Sequence, residues 1–469
     1  MIDWEKFNSI LEGLPFTLNE EQYNFLTHYI SQGVGHAHLS GVAGAGKSLM
    51  MSILKKYYGE SIVFFGSTGV SSQNLPDGIG IGTTHAYMSL PTKPSTTFNH
   101  TKVSGKCSNL FAKSDIIKIV VIDEAYIHNS DNLDMIWRRL ERFNKRSNKR
   151  KKRSIRLLLV GDSCQSVTIA DRDLKVELSN RWGSHLMFRS DVWERFAFTS
   201  YVLDKVERQD DKVFKACLDV IRYNQTGRLT KCLEWLNKRV CKEYGTDKVI
   251  LAATNKTVDR INFQVLSENP NPKFHFKPFV TGSFDMKDTL MRADGVTLCE
   301  GLKVMTIVNS TGGEWINGSI GYITNISTEG CYVKFNHSNK EHFVPLYTWE
   351  NKEVYTESSI SKDGVCINKI KERVIGQMTC IQLLPASCIS ISKSQGLTIK
   401  EDYVIDVENI GLYTSPKLED FGTNFVYLAL SRGVSIENVY LARPIQPDHI
   451  KCCNESIKYW FECKEKSVI

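Results

Sequence analysis

The chain has 469 residues, of which 42% are hydrophobic and 24% are charged. These proportions are typical of globular proteins, and the length leaves room for more than one domain. No apolar run reaches the roughly 20 residues that a membrane-spanning helix needs. The first residues, MIDWEKFNSILEG, lack the basic and apolar segments of a secretory signal. We therefore expect a cytoplasmic protein without a membrane partner, and the compact length favours a bacterial or phage-infected cell as its source.

Cysteine content and charge exclude two further classes. The 13 cysteines are scattered and none forms a CxxC pair, which favours reduced thiols over a disulfide framework or a zinc site. The net charge is +7, but eleven of the 59 Lys and Arg residues and one of the 52 Asp and Glu residues lie in residues 138–156. The remainder of the chain therefore carries a net charge of −3. A protein that coats nucleic acid uniformly would not show this distribution.

Short apolar runs alternate with helix-like segments over residues 1–195. Each run ends in a small or acidic residue, and continuous apolar runs favour strands of a parallel sheet that is covered on both faces. We predict a doubly wound α/β domain over residues 1–195, whose ligands lie beyond the carboxyl ends of the strands. The strand candidates are HAHLSG (36–41), SIVFFG (61–66), IIKIVVID (116–123) and IRLLLVGD (155–162).

A second α/β pattern follows, and we predict a second domain over residues 196–469. Within it, residues 296–380 consist of short β-rich runs separated by Gly, Asn and Ser, which predicts a small inserted barrel or meander. In the first domain, the polar and irregular segment 87–115 is expected to protrude. The strand candidates of the second pattern are TSYVLDKV (199–206), KVILAATN (248–255), MTCIQLL (378–384) and DYVIDV (402–407).

The segment GVAGAGKS, residues 41–48, fits the phosphate-binding pattern GxxxxGK[ST] between a predicted strand and a predicted helix. Its glycines let the backbone curl so that N–H groups face the phosphates of ATP. Lys47 would neutralise charge on the β- and γ-phosphates, and Ser48 would ligate Mg²⁺. A chance glycine-rich turn is the alternative, and the strand–loop–helix context makes it the weaker one. The glycines concerned are Gly41, Gly44 and Gly46.

Two acidic residues end the apolar strand VVIDEA (120–125). Asp123 would hold the magnesium shell, and Glu124 would orient and deprotonate the attacking water. Such a strand end is common alone, but downstream of a phosphate loop it is the expected second half of the site. The strand LLLVGDSCQ (157–165) brings Gln165 to the same edge, where its amide can hydrogen-bond the γ-phosphate and the water. A polar turn after a core strand is an equally good interpretation of Gln165.

Three further polar side chains are candidates for the nucleotide site. Gln22, in TLNEEQ, carries one amide donor and one acceptor, which together match N7 and N6 of adenine. Arg208, in LDKVERQD, and Arg432, in YLALSRG, follow apolar segments of the second half. Guanidinium groups supplied from another domain can stabilise charge on a transferring phosphoryl group. Surface residues without a role are the alternative for all three.

Taken in order, these motifs resemble those of superfamily 1 DNA helicases, and most closely the RecD-like branch that includes the petite-integration-frequency helicases. The resemblance extends from Gln22 to Arg432. It implies two tandem RecA-like P-loop domains and a small SH3-like β-barrel inserted in the second. We also expect a protruding wedge segment in the first domain, since strand separation requires one. The motifs that carry it are TLNEEQ, GVAGAGKS, STGVSSQNL, TTHAYM, VVIDEA, GDSCQ, ERQ, AATNKTVDRIN, SISKSQGLT and YLALSRG, with WINGSIG in the barrel.

The resemblance also implies roles for individual residues. Gln22 reads adenine, Gln165 couples the γ-phosphate to motion, and the two arginines reach the phosphates from the second domain. The sequence departs from the family at Ser392, where a histidine is common, and this removes an aromatic ring from the strand contact. Contacts to the DNA backbone are implied for Thr68, Gly69, Thr84 and His85. Positions that line the strand or link it to ATP are Thr254, Asn255, Lys393, Ser394, Gln395 and Gly396.

These implications predict an ATP-dependent DNA helicase that moves 5′→3′ on single-stranded DNA and opens forked DNA. We expect a monomer, with a single-strand-binding or replication protein as a further partner. One alternative is a DNA-stimulated translocase that strips bound proteins without unwinding. Others are a small-molecule P-loop kinase, which has no use for SKSQG and ALSR, and a binding module with a vestigial motor, against which the intact catalytic residues argue.

Two segments are assigned auxiliary roles. Phe98, in segment 87–115, is our candidate for an aromatic wedge that stacks on the last base pair, with an ordinary surface loop as the alternative. The basic run 144–156 is predicted to make an electrostatic contact with duplex DNA or with an acidic partner. A solvated loop and a nuclear-targeting signal are the alternatives for that run.

Overall fold

The structure is a computed structural model. It describes residues 2–31, 35–67, 71–72, 75, 80–91, 103, 107–108, 117–146, 154–165, 168, 170, 172–243, 248–284, 291–308, 310, 312–315, 319–336, 340–360, 366–395, 399, 401–410 and 424–469. Across these ranges, no helix has the length and apolar character needed to cross a membrane. The chain divides into two compact units: unit 1 comprises Met1–Thr257 and Ile389–Ile469, and unit 2 comprises Val258–Cys388.

The first sheet of unit 1 is parallel and has the strand order β3-β2-β4-β5-β1-β6. The apolar runs form it as predicted: all five residues of β1 and the first four residues of β4 are buried. Because these strands are buried on both faces, a sheet of this kind requires cover on both sides. The strands are β1 (Ala37–Gly41), β2 (Ile62–Gly66), β3 (Gly80–Thr83), β4 (Ile119–Asp123), β5 (Arg156–Gly161) and β6 (Thr199–Leu203).

Helices follow the strands of this sheet, and the phosphate-binding loop lies between the first strand and the third helix. The helices up to the second sheet are α1 (Trp4–Glu12), α2 (Glu20–Ser31), α3 (Lys47–Tyr58), α4 (Thr84–Met88), α5 (Ser130–Arg146), α6 (Arg172–Trp182), α7 (Asp191–Phe196), α8 (Lys212–Arg222) and α9 (Thr226–Leu236).

The second sheet of unit 1 has the order β17-β7-β18-β19, and β18 pairs in parallel with both of its neighbours. Its apolar strands are also buried, as the pattern predicts for a covered parallel sheet. The strands of this sheet are β7 (Val249–Ala252), β17 (Cys388–Ser390), β18 (Tyr403–Asp406) and β19 (Val439–Leu441). The helices along this part of the chain are α10 (Asn255–Glu268), which continues into unit 2 after Thr257, α11 (Phe425–Leu430) and α12 (Asn454–Glu465).

Unit 2 is a mainly antiparallel sheet with the order β16-β11-β12-β13-β14-β15-β9, next to the pair β10-β8. Burial alternates along β13, where Val333 and Phe335 face the core and Tyr332 and Lys334 face outward, as in a sheet with one covered face. The predicted meander is present, while the closed SH3-like barrel stays a prediction. The strands are β8 (Phe274–Phe276), β9 (Phe279–Gly282), β10 (Val296–Leu298), β11 (Lys303–Thr306), β12 (Ile320–Ser327), β13 (Gly330–Phe335), β14 (Glu341–Ile360), β15 (Cys366–Ile381) and β16 (Leu383–Pro385).

Two strand assignments made from the sequence are wrong. The run at 199–206 was placed in the second α/β pattern, but β6 pairs in parallel with β1 and is an edge of the first sheet. The run at 378–384 forms β15 and β16, which pair antiparallel in unit 2. Both errors have one cause: an apolar run predicts a strand, but its pairing partner is distant in sequence. The predicted boundary between residues 195 and 196 stays a prediction.

Several predicted features lie wholly or partly outside the described residues. Most of the predicted wedge segment 87–115 is outside them, including Phe98. The same holds for residues 147–153 of the basic run and for residues 316–318 of WINGSIG.

Candidate functional site

The phosphate-binding loop connects the buried strand β1 to the N-terminus of α3. Gly44 and Gly46 adopt φ values of +80° and +89°, a region that glycine enters without a steric cost. The Lys47 ammonium, which begins α3, donates to the main-chain oxygens of Gly41 at 2.8 Å and Val42 at 3.1 Å. Burial lowers the pKa of Lys47, and three nearby carboxylates oppose this effect. The loop therefore concentrates main-chain donors and one cation at the carboxyl edge of the sheet.

Asp123 and Glu124 lie at the same edge, at the end of β4 and directly after it. Burial and the neighbouring Glu124 raise the pKa of Asp123 to about 8. Burial also raises the pKa of Glu124, which Lys47, Arg432 and Gln395 oppose. Glu124 adopts φ +52°, a left-handed conformation that costs roughly 1–3 kcal/mol and concentrates at functional sites. Two adjacent carboxylates that resist ionisation suit a divalent cation, since its charge would offset their repulsion. Ser48, exposed at the start of α3, would be the hydroxyl ligand.

The turn after β5 supplies a third acidic residue and Gln165. Asp162 is buried, and its Oδ1 accepts a hydrogen bond from the main-chain N–H of Cys164 at 3.0 Å. Its Oδ2 accepts one from Gln165 Nε2 at 3.3 Å. The Gln165 side chain is buried as well, with 3% of its surface exposed. The carboxylate of Asp162 therefore orients the amide that the sequence assigns to the γ-phosphate.

Gln22 packs against the phosphate loop. Its Oε1 accepts from the main-chain N–H of Asn19, and Asn19 Oδ1 accepts from the N–H of Gln22, so that the two residues form a reciprocal cap at the start of α2. Gln22 Nε2 donates to the main-chain oxygen of Ala45 at 3.1 Å. A Cβ atom at Gly46 would lie 2.6 Å from this nitrogen. The residue assigned to adenine is thus fixed to the loop that is assigned to the phosphates.

The two arginines of the second half reach this edge. Arg208 Nη1 donates to the main-chain oxygen of Ser431 at 2.7 Å, and burial and the neighbouring Arg432 lower the pKa of Arg208 to about 10. Arg432 is buried and donates through Nε to the main-chain oxygen of Leu428 at 2.9 Å. Burial lowers the pKa of Arg432, and the charge of Glu124 opposes this effect. The two guanidinium groups therefore interact electrostatically, and Arg432 also interacts with the Glu124 carboxylate of the first sheet.

Three functional candidates were missed in the sequence. Asp162 and Tyr427 lie inside the quoted motifs GDSCQ and YLALSRG, so attention to every polar residue of a motif would have found them. Arg222 lies on α8 and forms a fully buried ion pair with Asp162. Its position in an ordinary amphipathic helix carries no sequence signal.

The predicted DNA contacts of the first sheet are only partly described. Thr84 is fully buried, and its Oγ1 donates to the main-chain oxygen of Gly66 at 3.1 Å. His85 is half-buried, its ring centroid lies 5.3 Å from that of His128, and burial lowers its pKa. Thr68 and Gly69 lie outside the described residues.

The predicted DNA contacts of the second sheet are close to α10 and α11. Thr254 Oγ1 accepts from the N–H of Thr257 at 3.0 Å, which caps α10, and Asn255 is exposed at the start of that helix. Lys393 is half-buried, and Ser394, which is buried, has its main-chain oxygen 3.4 Å from Arg432 Nη1. Gln395 opposes the rise in the pKa of Glu124 and so links SKSQG to the ATP site. Gly396 lies outside the described residues, and the DNA contacts themselves stay predictions.

Comparisons with known proteins agree with this geometry. Residues 17–181 match the family model described as AAA domain. The chain is 24% identical over 519 residues to the ATP-dependent DNA helicase RRM3 of Saccharomyces cerevisiae, covering 96% of this chain and 68% of that protein. It is 23% identical over 410 residues to the ATP-dependent DNA helicase Pif1 of Bdellovibrio bacteriovorus, covering 86% and 83%. The structure of Bacteroides Pif1 in complex with ADP-AlF3 and ssDNA superposes with a TM-score of 0.76 at 22% identity, over 96% of this chain and 98% of that one.

These comparisons test the predicted fold and the predicted family resemblance. The two parallel sheets and the structural match confirm the α/β fold with RecA-like domains. The relatives match over nearly the same length that the ordered motifs cover. In its ordered motifs and in its fold, the chain is similar to the Pif1-like helicases of superfamily 1.

Proposed function

We propose that this protein is an ATP-dependent DNA helicase that moves along single-stranded DNA and separates the strands of forked DNA. One observation carries the proposal. Within unit 1, Lys47 of the phosphate loop acts on Glu124 of the first sheet, and so do Arg432 and Gln395 from the last part of the chain. A small-molecule kinase needs no such second set of groups. Relatives that are named ATP-dependent DNA helicases support the same function.

Each set of groups has a distinct task in hydrolysis. The main-chain N–H groups of the loop and Lys47 bind the phosphates, which would replace the Gly41 and Val42 oxygens as partners of the ammonium. Ser48 and Asp123 would hold Mg²⁺, which supplies charge that offsets the phosphates. Glu124 accepts a proton from the attacking water, a task that its raised pKa favours. Arg208 and Arg432 stabilise the charge of the transferring phosphoryl group.

Hydrolysis drives movement because the arginines come from a different part of unit 1 from the loop. ATP attracts both sets of groups, and loss of the γ-phosphate removes the common partner. A single strand held at both sheets would then be gripped alternately, through its backbone and with little sequence preference. We infer the 5′→3′ direction from the RecD-like motif series alone.

The direct test is the rate of ATP hydrolysis with and without single-stranded DNA. Wild type should hydrolyse ATP faster when DNA is added, and Lys47→Ala should lower the DNA-stimulated kcat by about 100-fold, because phosphate charge is left uncompensated. Lys55→Ala is the matched control, since Lys55 lies on the same helix and its ammonium donates to the Gly59 main-chain oxygen and pairs with Glu60. A wild-type rate that DNA does not change would contradict the proposal.

A further inference from the structure

The hydroxyl of Tyr427 joins three parts of unit 1. It accepts a hydrogen bond from the main-chain N–H of Ala43 in the phosphate loop at 3.1 Å, and another from Arg222 Nη1 at 3.1 Å. It donates its own proton toward Asp162 Oδ2, 3.5 Å away. A phenol has one proton and two lone pairs, so its hydrogen-bonding capacity is fully used. Tyr427 is buried in α11, the helix that immediately precedes Arg432.

The burial of Arg222 costs desolvation free energy. Arg222 pairs with Asp162 at 2.5 Å, and both side chains are fully buried. Its guanidinium lies 4.3 Å from the ring centroid of Trp460, and its Nε and Nη2 atoms have no hydrogen-bond partner among the described residues. A buried ion pair of this kind is often no more stable than apolar side chains of the same volume. Stability alone therefore does not account for this arginine, which points to a role at the neighbouring site.

Asp162 contacts Tyr427 and Arg222 on one side and the Gln165 amide on the other. A carboxylate can only accept hydrogen bonds, so Asp162 Oδ2 fixes the NH₂ end of the Gln165 amide toward itself. The carbonyl end is then directed away from Asp162, where it can accept a hydrogen bond from the attacking water. The orientation of this amide thus depends on where Asp162 is held.

We propose that Tyr427 and Arg222 are positioning residues of the ATPase site, which fix Asp162 and through it orient Gln165 toward the attacking water. Tyr427 and Arg432 belong to the same short segment. When Arg432 approaches the phosphates, the hydrogen bonds of Tyr427 to Ala43 and Asp162 therefore form as well, and these bonds orient Gln165. Hydrolysis is thereby favoured when this segment contacts the phosphate loop. This inference rests on the proposed ATPase function.

Tyr427→Phe removes the hydroxyl and keeps the ring. The expected result is a DNA-stimulated kcat about tenfold below wild type with KM for ATP within about twofold, because the lost hydrogen bonds orient the water and do not bind the nucleotide. Arg222→Lys, which keeps the charge and loses the planar guanidinium, should lower kcat in the same way. The matched control is Tyr201→Phe, a buried tyrosine of β6 whose hydroxyl lies 2.9 Å from His28 Nδ1. It should keep the wild-type kcat.

A double-mutant cycle separates positioning from general loss of structure. In a Gln165→Ala background, Tyr427→Phe should lower kcat by less than about twofold, because the residue through which it acts is absent. An equal tenfold loss in both backgrounds would overturn the inference, and so would a rise in KM with unchanged kcat, which would place the effect on Ala43 and the phosphate loop. A wild-type protein without DNA-stimulated hydrolysis contradicts the proposed function instead. If DNA stimulates hydrolysis by the wild type, but Tyr427→Phe and Tyr201→Phe have equal kcat values, only this inference is contradicted.

Discussion

Gly44 meets two requirements of the phosphate loop at once. Its φ of +80° belongs to the left-handed region, and its main-chain oxygen accepts a hydrogen bond from the N–H of Glu207 at 3.0 Å. A Cβ atom here would lie 2.6 Å from the Cβ of Arg208. The glycine therefore serves the bend of the loop and also the close approach of the segment that carries Arg208.

Gly44→Ala should disturb Arg208 as well as the backbone. The expected result is a loss of about 1 kcal/mol of stability from the positive φ, together with a kcat for ATP that falls about tenfold or more because Arg208 is displaced. Gly313→Ala is the control, since Gly313 has φ +81° and no atom within 4 Å of an added Cβ. Equal kcat values in the two variants would show that the contact between residue 44 and Arg208 has no role in hydrolysis.

Buried histidines make the fold sensitive to mild acid. Burial lowers the pKa of His38 and of His128 to about 3, against about 6.5 in an unfolded chain. Below about pH 6.5 these two histidines therefore bind protons in the unfolded chain but stay neutral in the folded chain. The free energy of unfolding thus falls as the pH is lowered from 6.5 toward 3.

The expected loss is about 1.4 kcal/mol per histidine for each pH unit in this window. It is measured by urea denaturation at about pH 7.5 and about pH 5.5. His128→Leu should lose less stability between the two values than wild type, whereas His275→Leu, at an exposed position of β8, should match wild type. Identical pH dependence for His128→Leu and wild type would refute this account of His128.

At the residue scale, the predictable part of the site is what local pattern determines. Lys47, Asp123 and Glu124 are found at a strand end or helix start because a motif gives both the residue type and its backbone context. Arg222 was missed because its importance comes from Asp162, which is distant in sequence and meets it only after folding. The position of the Tyr427 hydroxyl beside Ala43 is equally non-local.

At the scale of elements, the C-terminal helix α12 stabilises the first sheet. The main-chain oxygen of Ser456 accepts from Ser163 Oγ, and the main-chain oxygen of Cys463 accepts from Ser200 Oγ. After the helix, the N–H of Val468 donates to the main-chain oxygen of Ser200. Because β6 is an edge strand of the sheet, this contact occupies a main-chain group that would otherwise be available for association with other chains.

Two adjacent residues of α12 give a matched test of this docking. Trp460 is fully buried, whereas Phe461 is 47% exposed. Trp460→Ala should lower the free energy of unfolding by about 3–5 kcal/mol, because it leaves a cavity and removes the ring beneath Arg222. Phe461→Ala should cost less than about 1 kcal/mol. Similar midpoints of denaturation for the two variants would mean that α12 does not pack as described.

The positions of strands were predicted well, because hydrophobic period and composition determine them. The sheet to which a strand belongs was predicted poorly, because it depends on pairing with distant residues. The strands at Ile62–Gly66 and Arg156–Gly161 match their apolar runs closely. The assignment of Thr199–Leu203 to the second pattern failed because sequence order favours a new domain, whereas the first sheet still had an open edge beside β1. The meander of unit 2, one of the two arrangements expected there, was predicted from short β-rich runs separated by Gly, Asn and Ser.

At the scale of the whole molecule, the ATP site is composite in sequence. Its groups come from the segment between Gln22 and Arg222 and from the segment between Gln395 and Arg432, with unit 2 inserted between them along the chain. A motif search finds each half, but only folding shows that Arg432 and Gln395 share Glu124. We propose that the coupling of ATP hydrolysis to DNA depends on this joint site.

The most direct test of the account combines ATP hydrolysis with unwinding of forked DNA that carries a single 5′ or a single 3′ tail. The account predicts DNA-stimulated hydrolysis, with strand separation of the 5′-tailed substrate only and with both activities lost in Arg432→Ala. Unwinding from the 3′ tail would contradict the direction alone. Hydrolysis that ignores DNA, with neither substrate opened, would contradict the central claim that this site converts ATP hydrolysis into movement along DNA.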